Sequence, residues 1–281
     1  MANEWENRMS RIVLITGCST GIGRALAQAF VDNGDKVIAT ARQADALSGL
    51  RCQHATLDVN NADSISALAQ QLTAEHGKLD VLVNNAGVAN MGPVAGLPLD
   101  TLRQQLETNT VAPIALLQAC LPLLEQSKEP MVVNIGSVSG ILTTPFAGAY
   151  CASKAALHAL SDALRMELAP LGIKVITIQP GGVTSALGDN ASAEVDRWLT
   201  PSNLYWSLRD DIIGRAKAQQ EGATDARQFA EEIVLKLTDN PAPIIRAGAK
   251  STLLPALKRW VPTDRLDALL SKKFGLHKLK R

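Results

Sequence analysis

Seven short runs rich in β-branched and aliphatic residues punctuate the chain, at residues 11–16, 36–40, 54–58, 80–84, 131–137, 173–179 and 243–246. Between them lie longer stretches in which apolar residues return every three or four positions, the period of an amphipathic helix. Gly34, Gly77 and Gly172 stand where helices should end, just before strands begin. The last run follows a helical stretch at 224–239. Strands separated by helices predict right-handed crossovers and a parallel, doubly wound α/β sheet of seven strands. No internal repeat or low-complexity segment interrupts the pattern.

A length of 281 residues with 46% hydrophobic content suits one large domain, placed at residues 1–249, followed by an extension at 250–281. Net charge is +1, which gives no reason to expect nucleic acid as a partner. Its distribution says more. Residues 250–281 carry nine Lys or Arg against Asp264 and Asp267, a net of +7, so the remainder of the chain is at −6. Within this tail Leu266, Leu269, Leu270 and Phe274 share one helical face, with Thr263 as candidate cap and Gly275 as terminator, while Arg265, Lys272 and Lys273 lie elsewhere. With Trp260 and the run LLPALKRW, two readings stand open: a peripheral contact with an anionic membrane surface, or packing of the leucines on the protein itself. Cys18, Cys52, Cys120 and Cys151 are far apart, with no CxxC pair and no clustered His, so reduced thiols and no metal site are expected. The N-terminus lacks an apolar leader and the apolar stretch 111–124 is broken by Pro113, Gln118 and Pro122; a cytoplasmic location is the simplest expectation.

The first strand runs straight into TGCSTGIG, residues 16–23, where a ligand at the carboxyl end of a parallel sheet would bind. Gly17 permits a sharp turn, Gly21 lets the backbone approach a pyrophosphate, and Gly23 allows close helix packing; Ser19, Thr20 and Ile22 belong to the same turn. Following a strand and opening a helix, the motif predicts a Rossmann-type dinucleotide site, although its G-x-x-x-G-x-G spacing departs from G-x-G-x-x-G. Tyr150 and Lys154 are four residues apart in a long helical pattern, so both project from one face. A phenol must shift by about three units, about 4 kcal/mol, to exchange protons near neutrality, and a neighbouring ammonium supplies part of that.

These motifs, with LDV at 57–59, NNAG at 84–87, Asn109 in ETNTVAP, Ser137 in NIGSVSG and PGGV at 180–183, resemble the short-chain dehydrogenase/reductase family in order and spacing over residues 11–185. The resemblance implies an NAD(P)-dependent interconversion of alcohol and carbonyl by Asn109, Ser137, Tyr150 and Lys154. Tyr150 would exchange the proton with the substrate oxygen and Ser137 would hydrogen-bond that oxygen. Lys154 would lower the pKa of Tyr150 and bind the nicotinamide ribose, and Asn109 would help hold a water leading from Lys154 to solvent. Taken singly each has a plain structural alternative: a turn hydroxyl, a buried amide, a core phenol, a solvated lysine.

By the same resemblance Asp58 and Val59 would meet adenine, Asn85, Ala86 and Gly87 would lie beside adenosine, and Pro180, Gly181 and Val183 would flank nicotinamide. Either Ser185 or Thr184 is in place to meet the carboxamide. Where NAD-preferring relatives carry an acid after the second strand, this chain has Ala41 followed by Arg42, a guanidinium suited to a 2′-phosphate; NADP(H) is expected, with NAD(H) as the alternative. Residues 186–222 fall at the family's substrate lid, and Trp198, Leu204, Tyr205 and Trp206 there serve either an apolar substrate or lid packing. With 92–97 and 141–146 opposite, the expected substrate is a hydrophobic aldehyde, ketone, retinoid-like or steroid-like molecule. The tail is similar, more loosely, to extensions of retinol and 17-beta-hydroxysteroid dehydrogenase relatives, several of which associate with membranes. Family members commonly pair through the helices bearing Asn109 and Tyr150, so a homodimer or homotetramer is expected. The competing functional reading is a nucleotide-responsive regulatory or scaffold protein that kept the fold for binding.

Overall fold

All seven expected strands form, at β1 (Ile12–Ile15), β2 (Lys36–Ala41), β3 (Gln53–Thr56), β4 (Val81–Asn84), β5 (Met131–Ile135), β6 (Lys174–Pro180) and β7 (Ile244–Ala247). The structure is a computed structural model and describes residues 10–218, 220–238 and 240–279. Residues 1–9, read above as lacking a leader, lie outside it, as do Gln219, Asp239 at the end of the expected helical stretch 224–239, and Lys280 and Arg281 of the basic tail. The strands pair in the order β3-β2-β1-β4-β5-β6-β7, every neighbouring pair parallel. Parallel neighbours need long crossovers, and helices supply them: α1 (Gly21–Asp32), α2 (Ala62–His76), α3 (Leu99–Leu106) with α4 (Ala112–Leu124), α5 (Gly148–Glu167), and α6 (Leu187–Trp198), α7 (Arg209–Lys217) and α8 (Ala226–Lys236) before β7. α9 (Leu253–Trp260) and α10 (Thr263–Lys273) form the extension. The three expected helix-stop glycines all have positive φ, between +67° and +87°.

Strand residues alternate between two cores. Val13, Ile15, Val37, Val83, Val133 and Ile178 face α1 and α8 with Phe30 and Phe229, whereas Ile12, Leu14, Ile38, Leu82, Val132 and Val175 face α2 and α4 with Leu68, Leu116 and Cys120. Phe30 and Phe229 have no exposed surface, and burial of each is worth about 1.5–3 kcal/mol. Because β4 returns to the far side of β1 after β3 has paired with β2, the connections leaving β1 and β4 diverge. That reversal opens a crevice at the carboxyl ends of the strands.

The extension packs on the rest of the chain. Leu266 and Leu270 of α10 are buried against Leu142, with Phe274 beside them, while Leu269, placed on the same face by the sequence, is 58% exposed. Pro262 rather than Thr263 occupies the cap position, and Gly275 ends the helix at φ +75°. Beyond it Leu276 and Leu279 pack on the cluster formed by α6 and α7, and the Lys278 ammonium donates to both carboxylate oxygens of Asp211 at 2.7 and 2.9 Å. α9 buries no residue, and Trp260 at its end is 75% exposed. No described helix is long and apolar enough to cross a membrane.

Candidate active site

The turn after β1 folds back onto the loop after β4. Thr16 Oγ1 accepts from the backbone N–H groups of Asn85 and Ala86, each at 2.9 Å, and Asn85 Nδ2 donates to the carbonyls of Thr16 and Gly17 at 2.7 and 3.2 Å. Gly17 has φ +71° and lies so close to this loop that a Cβ would sit 2.9 Å from Ala86 Cα. A Cβ on Gly23 would collide with the Gly17 carbonyl and the Asn85 amide. Bare backbone and the N-terminus of α1 therefore form the floor of the crevice, an arrangement suited to phosphate.

A cleft of about 310 Å³ runs from this turn to Tyr150. Its lining brings together Gly17, Ser19, Thr20, Gly21, Ile22, Gly23, Arg42, Asp58, Val59, Asn85, Ala86 and Gly87 with Ser137, Tyr150, Lys154, Pro180, Gly181, Val183 and Ser185. Of the residues expected at the site, Asn109 alone is behind the wall. A larger open hollow of about 490 Å³ between α1 and α8 is lined by none of the four expected catalytic residues. Ser185, not Thr184, faces the cleft; Thr184 Oγ1 instead accepts from Ala226 N at 2.9 Å at the start of α8. Ala41 is the last residue of β2 and is buried, and Arg42 beside it is exposed at the cleft.

Tyr150 and Lys154 lie on the buried face of α5, and Ser137 follows β5. The phenol and the Ser137 hydroxyl line the same cleft. Burial dominates and pushes the Tyr150 pKa up to about 12, with Ser137 acting in the opposite direction. Lys154 donates from Nζ to the Ile135 carbonyl at 2.7 Å, and burial draws its pKa down to about 8. Arg215 of α7 is a further cation that acts on the phenol, in the direction of a lower pKa. Asn109 occupies a π-helical turn, Glu107–Val111, inserted between α3 and α4. Its Oδ1 accepts from Val88 N at 2.9 Å, and its Nδ2 donates to Val88 O at 2.9 Å and Ser153 Oγ at 3.0 Å. A Cβ on Gly87 would lie 3.2 Å from Asn109 Oδ1 and 3.8 Å from Lys154 Nζ, so both polar atoms border the space that this glycine leaves open. No metal-binding cluster exists among the described residues.

Sequence reasoning left several lining residues unassigned, among them Asn60, Leu187 and Asn190. Asn60 and Asn190 carry no positional signal, because they join the cleft only through folding. The large apolar residues of the lid divide: Trp198 packs directly over Gly92 and Tyr205 over Gly96, whereas Leu204 is 70% exposed.

A family model described as short chain dehydrogenase matches residues 11–196. Among curated relatives, a dehydrogenase/reductase SDR family protein 7-like of Anopheles gambiae is 38% identical over 93% of this chain and 84% of its own. A 3-ketodihydrosphingosine reductase of Bacteroides thetaiotaomicron is 33% identical over 92% of this chain and 96% of its own. Among solved structures, a short-chain dehydrogenase from Streptomyces avermitilis superposes with a TM-score of 0.78 at 30% identity, covering 97% of this chain and 98% of that one. The closed form of a serine dehydrogenase complexed with NADP+ gives 0.73 at 26% identity, covering 86% and 96%.

The burial of Lys154 has a measurable consequence for stability. Its folded pKa lies below the ordinary value of 10.5, so the cost of holding a buried ammonium is fully present below pH about 8 and is relieved as pH rises toward 10.5. Lys154→Met should therefore gain on the wild type at neutral pH by up to about 3 kcal/mol relative to their difference near pH 10. Urea unfolding at the two pH values checks this; a difference that does not change with pH would remove burial of the charge as its cause.

Proposed function

The chain belongs to the short-chain dehydrogenase/reductase family of oxidoreductases, and on that premise we propose that it interconverts a carbonyl and an alcohol on a hydrophobic substrate with NADP(H). The observation that carries this reading is the convergence on one cleft of the glycine turn, Ser137, Tyr150 and buried Lys154. The bare backbone around Gly17 and Gly23, which a Cβ would fill, suits a dinucleotide pyrophosphate. When bound, the nicotinamide supplies the hydride in reduction and accepts it in oxidation. The remaining chemistry belongs to side chains. Tyr150, kept protonated at neutrality by burial, donates its proton to the substrate oxygen in reduction, and Ser137 shares in polarising that oxygen. In oxidation the phenolate takes the hydroxyl proton. Lys154 holds the ribose and offers positive charge to the developing phenolate, while Asn109 positions α5 through Ser153.

Preference for NADP(H) rests on Arg42 at the cleft beside Ala41, with no carboxylate at the end of β2 to repel a 2′-phosphate. The NADP+ complex of the serine dehydrogenase supports the same cofactor class. An apolar substrate is supported by Val88, Ala186 and Leu187 along the cleft and by the 3-ketodihydrosphingosine in the name of the Bacteroides relative. A cytoplasmic location belongs to the same reading and suits four free cysteines. Purified protein is expected to bind NADPH and oxidise it in the presence of hydrophobic ketones or aldehydes. In that assay Tyr150→Phe should keep NADPH affinity and lose turnover by about 100-fold or more, and Arg42→Ala should weaken NADPH far more than NADH. Full turnover by Tyr150→Phe, or equal losses for the two nucleotides, would reject the respective role, and NADPH binding without turnover on any carbonyl would favour a nucleotide-responsive regulator.

Peripheral membrane contact, as part of this proposal, falls to α9 and not α10, because Leu253 and Trp260 face outward beside Lys258 and Arg259 whereas Leu266 and Leu270 are buried. Cosedimentation with anionic vesicles should be reduced by Trp260→Ser; binding that is absent or unaltered would leave the tail with packing alone. Val111, Leu160 and Met166 remain exposed on and beside the helices that carry Asn109 and Tyr150, and we assign the homodimer or homotetramer to that face. Sedimentation velocity of the 29.9 kDa chain should show two or four copies, and a monomer would end this assignment.

A further inference from the structure

Arg215 lies in α7 with its guanidinium turned inward beneath the lid, and the residue is 5% exposed. Its Nε donates to Thr144 Oγ1 at 2.8 Å, in the loop that leads into α5, and the guanidinium carbon stands 5.4 Å from the centre of the Phe274 ring. Among the described residues no carboxylate reaches it within salt-bridge distance. The nearest acid along the helix is Asp211, one turn earlier, at the spacing from which an acid and an arginine ordinarily pair. That carboxylate is instead taken by Lys278 of the tail, at 2.7 and 2.9 Å, and Gly275 lies tight against it.

A buried cation without an anionic partner costs several kcal/mol unless the surroundings use its charge. The groups facing Arg215 can be named. Ile212 and Ala216 of α7, on either side of Arg215 in sequence, pack in one buried cluster with Tyr150 and Cys151 of α5, whose phenol and thiol are anionic when ionised. From the loop comes the neutral Thr144 hydroxyl, and from α10 the Phe274 ring, which Lys273 also approaches at 5.7 Å. On the phenol act Ser137, Cys151 and Arg215, and Lys154 lies one turn along the same buried face of α5. We infer that Arg215 is a positioning residue for proton transfer, an unpaired buried cation that the C-terminal tail keeps free, by holding Asp211, so that its charge favours the phenolate of Tyr150. Arg215 is not in the cleft lining, so it acts through Tyr150 and not by touching substrate. Electrostatics agree in sign: Arg215 lowers the pKa of both Tyr150 and Cys151, against the burial that raises them, and its own pKa is lowered by burial.

The inference rests on Tyr150 being the acid/base, yet it can be read without turnover. The chain has two tyrosines, Tyr150 and Tyr205, so Tyr205→Phe leaves one. With tyrosine labelled at Cζ by a spin-active carbon isotope, the displacement of that single resonance at the highest pH where the fold persists reports the phenolate fraction. In this background Arg215→Met is expected to cut the displacement about three-fold or more, the effect of raising the pKa by about half a unit. Arg215→Lys, which keeps the charge, should stay closer to the parent than to the methionine variant. Should Arg215→Met not fold, Lys278→Met removes only a surface contact and frees Asp211 to neutralise Arg215, and it should reduce the displacement in the same sense. A displacement equal to the parent's in the folded variant would overturn the inference, as would a parent resonance that never moves. Because no substrate or cofactor is added, either result is separate from the turnover of Tyr150→Phe.

Discussion

Helix α5 enters the interior with a polar face, and every buried group on that face must find a partner or cost about 1–3 kcal/mol. Ser153 Oγ donates to the Tyr150 carbonyl and accepts from Asn109, Lys154 donates to the end of β5, and Ser161 accepts from Asn134, which in turn accepts from Asn84 on β4. These contacts lie along one side of the helix and reach two strands and the π-helical turn. Together they set the rotation and the height of α5 against the sheet. A rotation by one residue would strand several of them at once. That orientation turns Tyr150 and Lys154 to the cleft that Ser137 also lines.

The same burial that orients the pair sets its chemistry. Both groups are almost wholly buried, and burial pushes the phenol's pKa up to about 12 and the ammonium's down to about 8. Burial alone thus moves both groups toward neutrality, and charge from elsewhere must oppose it if a phenolate is to form. Besides Lys154, one cation acting on Tyr150 comes from the lid, and the acid nearest it along the helix is tied to the tail. The extension is therefore joined to the centre of the molecule through Asp211, Phe274 and Arg215, in addition to its apolar contacts around Leu142.

Strand and helix order, the glycine turn and the motif residues were readable because each depends on local regularities: a period of two or of 3.6, a glycine where φ must be positive, a motif at fixed spacing. Gly17, Gly34, Gly77 and Gly172 adopt the conformations that only glycine takes without strain. What was not readable involves partners remote in sequence. The division of Thr184 from Ser185 depended on Ala226, the partial exposure of the α10 leucine face on Leu142, and the engagement of the Asn109 amide on Val88 and Ser153.

The amino-acid order by itself determined a doubly wound parallel sheet, the place of its ligand-binding edge and the side chains to be gathered there, since backbone conformation and hydrophobic periodicity are set over a few residues. Tertiary structure alone decided which of those side chains are buried and which charges go unpaired. Asp211 and Arg215 are spaced to pair on an isolated helix, and Lys278, 63 residues beyond Arg215, separates them. Desolvation and Coulomb energies depend on distance through space, and no local pattern in the chain records it.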